Sequence, residues 1–410
     1  MTDAARIGPA ARAIRKRRGL SLEVVAGRIG TSKGHLSDLE RGVKDFMVTR
    51  RGMVEDLAEV LGCSPMDLTG RPGLGEDRRQ LVAASAVPAL TAALHDTTLD
   101  DAPEVPQLRP LADLVALADK ANAAADNVRY EPISGDKLGD LITGLHAYAA
   151  TGRGDERQTA LEALVTACIV ARSLAGALGH GELAVTATRR GWDAARRLER
   201  LDLTGLMAMG RAISLNRLGA RRRANLVLAE ALADAEAGPG PSRERSSVAE
   251  ARGMLHLTAA HLAARDGNRN VADMHIEEAR GLAEFLGERN FMLYHFGPAN
   301  VGAWEVAVAV ETQRGPETAE RLATVVDVAT FNSADRTAAW HFDMARAYAQ
   351  AGGDRDIDAI QHMDKADQLA PVRMRSDPMA FYLVEGLTHR HAKRSALWEL
   401  RSLQNRYGVA

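Results

Sequence analysis

The sequence predicts an all-α protein, with a small basic helical head followed by a long stack of helical hairpins. Three observations carry that expectation. Apolar residues recur at intervals of three and four through most of the chain. No alternating β-branched segment bounded by turns appears beyond residue 111. Gly179, Gly219, Gly267, Gly315 and Gly352 punctuate the second part at spacings of 37 to 48 residues. Charge divides along the same line. Residues 1–51 hold 12 basic and 5 acidic residues, whereas residues 73–410 hold 39 and 45, and the whole chain carries a formal net charge of −2. A basic head on a mildly acidic body points to one anion-binding end.

Composition excludes several classes. Two cysteines, Cys63 and Cys168, with no CxxC, exclude a disulfide framework and a cysteine-rich zinc site. No run of 18 uncharged apolar residues appears, nor an apolar segment with a cleavage site near the start. The expectation is therefore a cytoplasmic protein with no membrane partner. There is no HExxH, no GxxxxGK[ST], no GxGxxG and no recognisable nucleophile elbow. His389 and His391, two residues apart, point in different directions on a helix. We expect no metal, no cofactor and no enzymatic activity.

Taken in order, the first 72 residues read as five short helices. The first covers 8–18. The second, 22–28, has Ser21 as N-cap, and a tight turn at Ile29-Gly30-Thr31 follows. The third covers 32–41 and stops at Gly42. A fourth spans 53–61 before Gly62, and a short fifth begins at Pro65. Ile14, Leu20, Val25, Ile29, Leu36, Leu39, Val54, Leu57 and Leu61 fall at helical spacing and form one small core. Lys33, His35, Ser37 and Asp38 are left projecting from the third helix.

Residues 12–42, RAIRKRRGLSLEVVAGRIGTSKGHLSDLERG, resemble the helix-turn-helix of the phage-repressor, or XRE, family. The resemblance is carried by Arg15, Gly19, Leu20, Ser21, Ala26, Gly30, Ser32, Leu36, Glu40, Arg41 and Gly42, and it continues through residues 57–68. It implies double-stranded DNA as a partner, with Ser32, Lys33, Gly34, His35, Ser37 and Asp38 near base edges in the major groove. It also implies a buried Arg15–Glu40 ion pair joining the first helix to the third. Two departures stand out: Leu22 replaces the usual Gln, and the loop at 43–52 is long. Arg41, Lys44, Arg50 and Arg51 are candidates for phosphate contacts; solvated surface charge is the alternative for each. The run Arg15-Lys16-Arg17-Arg18 is a weaker candidate, since one face of its helix must pack inward.

Beyond the head, residues 73–110 read as a linker with one helix at about 81–94 and a polar, proline-bearing stretch at 96–110. Residues 111–410 form the helical body. Around Gly267, the series His256, Ala259, Ala260, Ala263, Gly267, Ala272, Ile276 and Ala279 keeps tetratricopeptide spacing, and similar series surround Gly219 and Gly352. The body is expected to be an α-solenoid of stacked hairpins with a concave inner surface. A head and body of these kinds resemble the RRNPP peptide-sensing regulators. The resemblance to actinobacterial XRE–tetratricopeptide regulators is closer, through the FGPxN element at 296–300. It implies a homodimer on a palindromic operator and a peptide or small-molecule effector. A protein partner in the repeat groove, with DNA contact secondary, is the alternative.

Inner-surface positions carried over from tetratricopeptide arrays include Asn216, Arg217, His261, Arg265, Glu305 and Arg346. An asparagine amide can pair with a peptide backbone, and arginine can clamp a carboxylate. Residues 291–304 add an aromatic concentration with His295, Asn300 and Trp304. This group lines a ligand pocket or packs a bent segment around Pro298.

Overall fold

A computed structural model describes residues 4–44, 53–63, 67–68, 78–238, 246–391 and 397–409. Among them every regular element is helical and there is no strand, as expected. The chain divides into two compact units: Met1–Leu81 together with Pro378–Ala410, and Val82–Asp377.

The first unit begins with α1 (Ala4–Arg17), α2 (Leu22–Arg28), α3 (Lys33–Glu40) and α4 (Met53–Leu61). Helices α2 and α3 start where serine caps them. Ser21 Oγ accepts from Val24 N at 3.2 Å, and Ser32 Oγ accepts from His35 N at 3.1 Å. Each cap satisfies one of the amide groups a helix leaves unpaired. Ile7, Ile14, Val25, Ile29, Leu36, Leu39, Leu57 and Leu61 form a buried cluster, with Leu20 and Val54 packed at its edge. Of the fifth expected helix, Asp67 and Leu68 are helical and the rest lies outside the described residues.

Trp398 packs against that same cluster. It opens α21 (Trp398–Tyr407), which pairs with α20 (Pro378–His391). The guanidinium groups of Arg17 and Arg18 lie 4.9 and 5.3 Å from the Trp398 ring centre, and Arg17 Nε reaches Glu399 at 3.0 Å. Ser402 and Asn405 donate to the Asp67 carboxylate at 3.1 and 2.8 Å. The sequence reading assigned 378–410 to the repeat body; in the structure these residues group with the head.

The chain leaves the first unit along α5 (Arg78–Ala84) and continues into α6 (Val87–His95). These replace the single helix expected at 81–94. Pro88 stands in the first turn of α6, where a missing amide hydrogen costs nothing, and the helix restarts there. The second unit continues with α7 (Leu111–Asp126) and α8 (Lys137–Thr151). Five hairpins follow: α9 (Gly154–Ala177) with α10 (Gly181–Arg197), α11 (Leu201–Arg217) with α12 (Arg221–Ala237), α13 (Ser246–Arg265) with α14 (Arg269–Leu286), α15 (Pro298–Glu311) with α16 (Pro316–Ala323), and α17 (Ala334–Ala351) with α18 (Asp356–Leu369). Each turns on one of the five spaced glycines, all at φ between +70° and +87°. The short α19 (Pro371–Arg375) closes the unit.

The first helices of successive hairpins pack side by side, whereas each second helix packs on its partner and on the next first helix. First helices therefore lie on the inside of the curve. The array also returns on itself: α17 touches α7, α19 touches α9, and Ser333 Oγ donates to the Asp126 carboxylate at 2.6 Å. Helix α9 is long and apolar enough to cross a membrane by length and composition, but most of it is buried within the unit. Its residues Leu164, Val165, Cys168 and Ala171 are fully enclosed, so it is a core helix.

Two hairpins carry matched histidine pairs. His256 and His341 each stand eleven residues before their hairpin glycine. Each meets a histidine of the second helix, His275 at 3.0 Å and His362 at 3.1 Å between Nδ1 atoms. Burial, then the neighbouring histidine, pushes His256 and His341 down to about 4. Burial, then Arg190, pushes His146 down to about 3. These rings are neutral in the folded chain and protonate more readily when it unfolds. Their contribution to stability is complete above the ordinary histidine value near 6.5 and is lost as pH falls toward 4. Thermal melts followed by circular dichroism should show a lower midpoint at pH 5 than at pH 7.5, each histidine costing about 1–2 kcal/mol at pH 5. Replacing His341 with Gln should flatten that dependence; a midpoint constant over this range contradicts the account.

Candidate nucleic-acid interface

Helix α3 is fixed from behind by a buried ion pair. Arg15 Nε donates to Glu40 Oε1 at 2.6 Å and Arg15 Nη2 to Oε2 at 2.8 Å, the parallel two-bond geometry of a guanidinium–carboxylate pair. Arg15 Nη1 also donates to the Leu20 carbonyl at 2.8 Å. One side chain of α1 thus holds both the end of α3 and the entry to α2. Arg15 and Glu40 are only 8% and 4% exposed, and hydrogen bonding to Glu40 raises the pKa of Arg15. Behind the pair, α1 and α3 approach so closely that a Cβ at Gly8 would overlap the Leu39 carbonyl oxygen.

The opposite face of α3 is open. Ser32, Lys33 and Gly34 are exposed at its start; His35, Ser37 and Asp38 are half-buried along it. Ser32 Oγ is committed to its cap. Lys33 has Glu23 only loosely, at 3.8 Å. A Cβ at Gly34 would meet nothing in the protein within 4 Å. Asp38 gathers two cations, Arg41 Nη2 at 2.7 Å and Lys44 Nζ at 3.2 Å, and Lys44 also stands 3.3 Å from His35 Nδ1. Hydrogen bonds from Lys44 and then Arg41 hold the Asp38 carboxyl below its ordinary range, so it stays ionised as an acceptor. One helix face therefore offers a mobile ammonium donor, a carboxylate acceptor and two cations at its C-terminal end. These are groups that read base edges and grip phosphates. Arg50 and Arg51 lie outside the described residues.

The basic run on α1 is turned to other work. Arg15 is buried on Glu40, Arg17 pairs with Glu399, and Arg18 donates to the Gly62 carbonyl at 2.9 Å. Only Lys16 of the four points to solvent without a partner in α21 or the core.

In the body, three of the sequence-derived candidates meet. His261 packs edge-on to Trp304, ring centres 5.7 Å apart, with its Nε2 4.0 Å from Glu311. Arg346 bridges Glu311 at 3.0 Å and Asp343 at 3.3 Å. Burial pushes His261 down to about 4, so this imidazole is neutral. Asn216 is half-buried on α11, away from this group in sequence order, with Arg217 exposed beside it. Arg265 is exposed at the end of α13, and Glu305 is held by Arg280. His295 and Asn300 have anchoring roles: His295 Nε2 lies 3.0 Å from Asp126, and the buried Asn300 donates to the Tyr294 carbonyl at 3.2 Å. Together they pin the segment 291–295, where Met292, Leu293 and His295 adopt φ of +54°, +62° and +52°. Such left-handed backbone is costly for branched and bulky residues. Phe291, Met292 and Tyr294 pack against two of the core clusters of this unit. Sequence reasoning missed Arg336, whose guanidinium lies 5.2 Å from the Trp304 ring and 5.8 Å from Phe331. Arginine is so frequent in this chain that nothing marked it out.

Replacing Arg15 with Met should leave Glu40 buried without a counter-charge and destabilise the head by about 3–5 kcal/mol. The double change Arg15→Met with Glu40→Leu should recover most of that loss in urea titration. Equal stability of the single variant and the parent would mean the pair does not hold α3.

The comparisons agree with this geometry at the N-terminus. No curated protein and no solved structure matches the chain. A family model described as a helix-turn-helix domain matches residues 6–69, from within α1 through α4, including the exposed face of α3.

Proposed function

We propose that this protein is a sequence-specific transcriptional regulator that binds a palindromic operator as a homodimer through α3. In this reading the body binds a peptide or small-molecule effector and modulates operator affinity. The observation that carries it is the open face of α3, set on the rigid Arg15–Glu40 anchor within a helix-turn-helix match. Lys33 reaches guanine acceptors, and Asp38 accepts from a cytosine amine once a base displaces Lys44 or Arg41. Amide groups at the starts of α2 and α3 and the cations Arg41 and Lys44 face the phosphates. The inward-facing first helices, with His261, Trp304 and Arg346 gathered on three of them, support the sensor role of the body.

Fluorescence anisotropy with DNA from upstream of the protein's own gene, against a scrambled duplex, tests this directly. With roughly 6–10 phosphate contacts, affinity should fall about 10³–10⁵-fold between 50 and 200 mM salt. Lys33→Ala should weaken the native duplex and relax base preference by about 1–3 kcal/mol at one position. Unchanged affinity and preference in Lys33→Ala and Asp38→Ala would remove α3 from the interface.

A further inference from the structure

We propose that the outward face of α20 is a dimer interface, which pairs with the same face of a second copy of this chain so that Tyr382 of each copy sits over Gly386 of the other. The inference rests on the homodimer reading above and names the surface that joins the two heads.

Burial divides α20 into two faces. Ala380, Val384, Leu387 and Thr388 are buried, and α21 is the helix on which α20 packs. At about 3.6 residues per turn, Tyr382 and Gly386 stand on the opposite side, with Met379 beside them and Phe381 on the flank. Tyr382, Met379 and Phe381 are 64%, 48% and 37% exposed, and Leu383 is half-buried. The Phe381 and Tyr382 rings meet edge to face, their centres 6.0 Å apart. Four large apolar side chains within five positions form a patch, which is a different matter from single exposed apolar residues scattered over a surface.

Gly386 supplies the complementary shape. It lies inside the helix, where glycine is among the least favourable residues. It is exposed, and a Cβ there would meet nothing within 4 Å. No close approach within the described residues accounts for it, in contrast to Gly8, whose Cβ would strike α3. A gap one turn from the most exposed ring of the helix is a hole beside a knob. A two-fold contact must be self-complementary. With the two α20 helices antiparallel and the axis between residues 382 and 386, each knob enters the other copy's hole. A foreign partner needs a knob of its own; a second copy already carries one at the matching spacing.

The area suits such a dimer. Large aromatic side chains carry about 150–250 Å² each, so the exposed parts of Tyr382, Phe381 and the similarly sized Met379 amount to roughly 300 Å² per copy. Two copies together remove about 600 Å² through these three residues, and Leu383, Gly386 and His389 bring the total near the ~1,000 Å² of a small specific interface. An interface of that size implies association in the micromolar range, tightened when two half-sites hold both heads on one duplex. Trp398 fixes the α20–α21 hairpin on the core of the head, so pairing here sets the separation of the two α3 helices.

Sedimentation equilibrium on the full chain between about 1 and 100 μM tests this. The parent should pass from monomer to dimer over that range. Tyr382→Asp and Gly386→Leu should each weaken association at least about tenfold. Gly386→Leu should also keep or raise the monomer's melting midpoint, because leucine favours the helix that glycine disfavours, and misfolding produces no such combination. Cys63 and Cys168 are buried, so introduced cysteines report on the surface alone. A mixture of Tyr382→Cys and Gly386→Cys proteins should cross-link on oxidation faster than either protein by itself. Equal rates overturn the pairing of Tyr382 with Gly386. A parent dimer that survives both substitutions overturns this surface and leaves the homodimer reading in place. A parent that stays monomeric, both free and on the operator, overturns the surface and the homodimer together. Anisotropy with a single half-site then shows whether one head still selects its sequence.

Discussion

Close approach between helices is the constraint on which both units depend. At Gly8 the backbone of α1 lies against the Leu39 carbonyl of α3, leaving no room for even a methyl group. At Gly253 on α13 a Cβ would overlap the Phe296 ring, which is 1% exposed. Alanine does the same work within the hairpins. Ala212, Ala260 and Ala345, each on a first helix, are completely buried. Small side chains let helix axes come near enough for dispersion contacts to accumulate along their whole length. The Arg15–Glu40 pair is reachable only because Gly8 has already brought α1 and α3 together.

Much of this could be read in the sequence. Serine before an apolar run marked the start of α2, because the cap is a local hydrogen bond between neighbours in the chain; Ser32, expected as the first residue of the third helix, is instead the cap of α3. The five hairpin turns were legible for the same reason: a left-handed turn needs a residue without a Cβ, and glycine announces it. The projecting residues of α3 followed from helical period alone. What escaped was long-range. Trp398 on the head core, Ser402 and Asn405 on Asp67, and the return of α17 to α7 join residues more than 200 positions apart. No periodicity encodes them. His295 and Asn300 carried the right chemistry for a ligand site, but their partners, Asp126 and the Tyr294 carbonyl, turned them into anchors for a bent segment.

Electrostatics on α3 set how such a surface discriminates. Asp38 already has two cations, and Lys44 is shared with His35. On the proposed function, a base or phosphate must therefore offer a better arrangement than the one the protein makes with itself. Exchange of partners of this kind contributes little net attraction, so its consequence falls on selectivity: a wrong base leaves a charged group less well placed than in the free protein. The whole-chain charge of −2 keeps indiscriminate attraction to the duplex small.

The docking of α21 onto the head has a consequence for the order of synthesis. Core residues 7–68 leave the ribosome long before Trp398, and translation at 5–20 residues per second separates them by roughly 15–65 s. During that interval Arg17, Arg18 and Asp67 lack the tryptophan, the glutamate and the amide that later occupy them. A prematurely terminated chain remains in that state permanently. The head is thus finished by a helix made more than 300 residues after its own core, so that only a chain translated through α21 carries the complete unit.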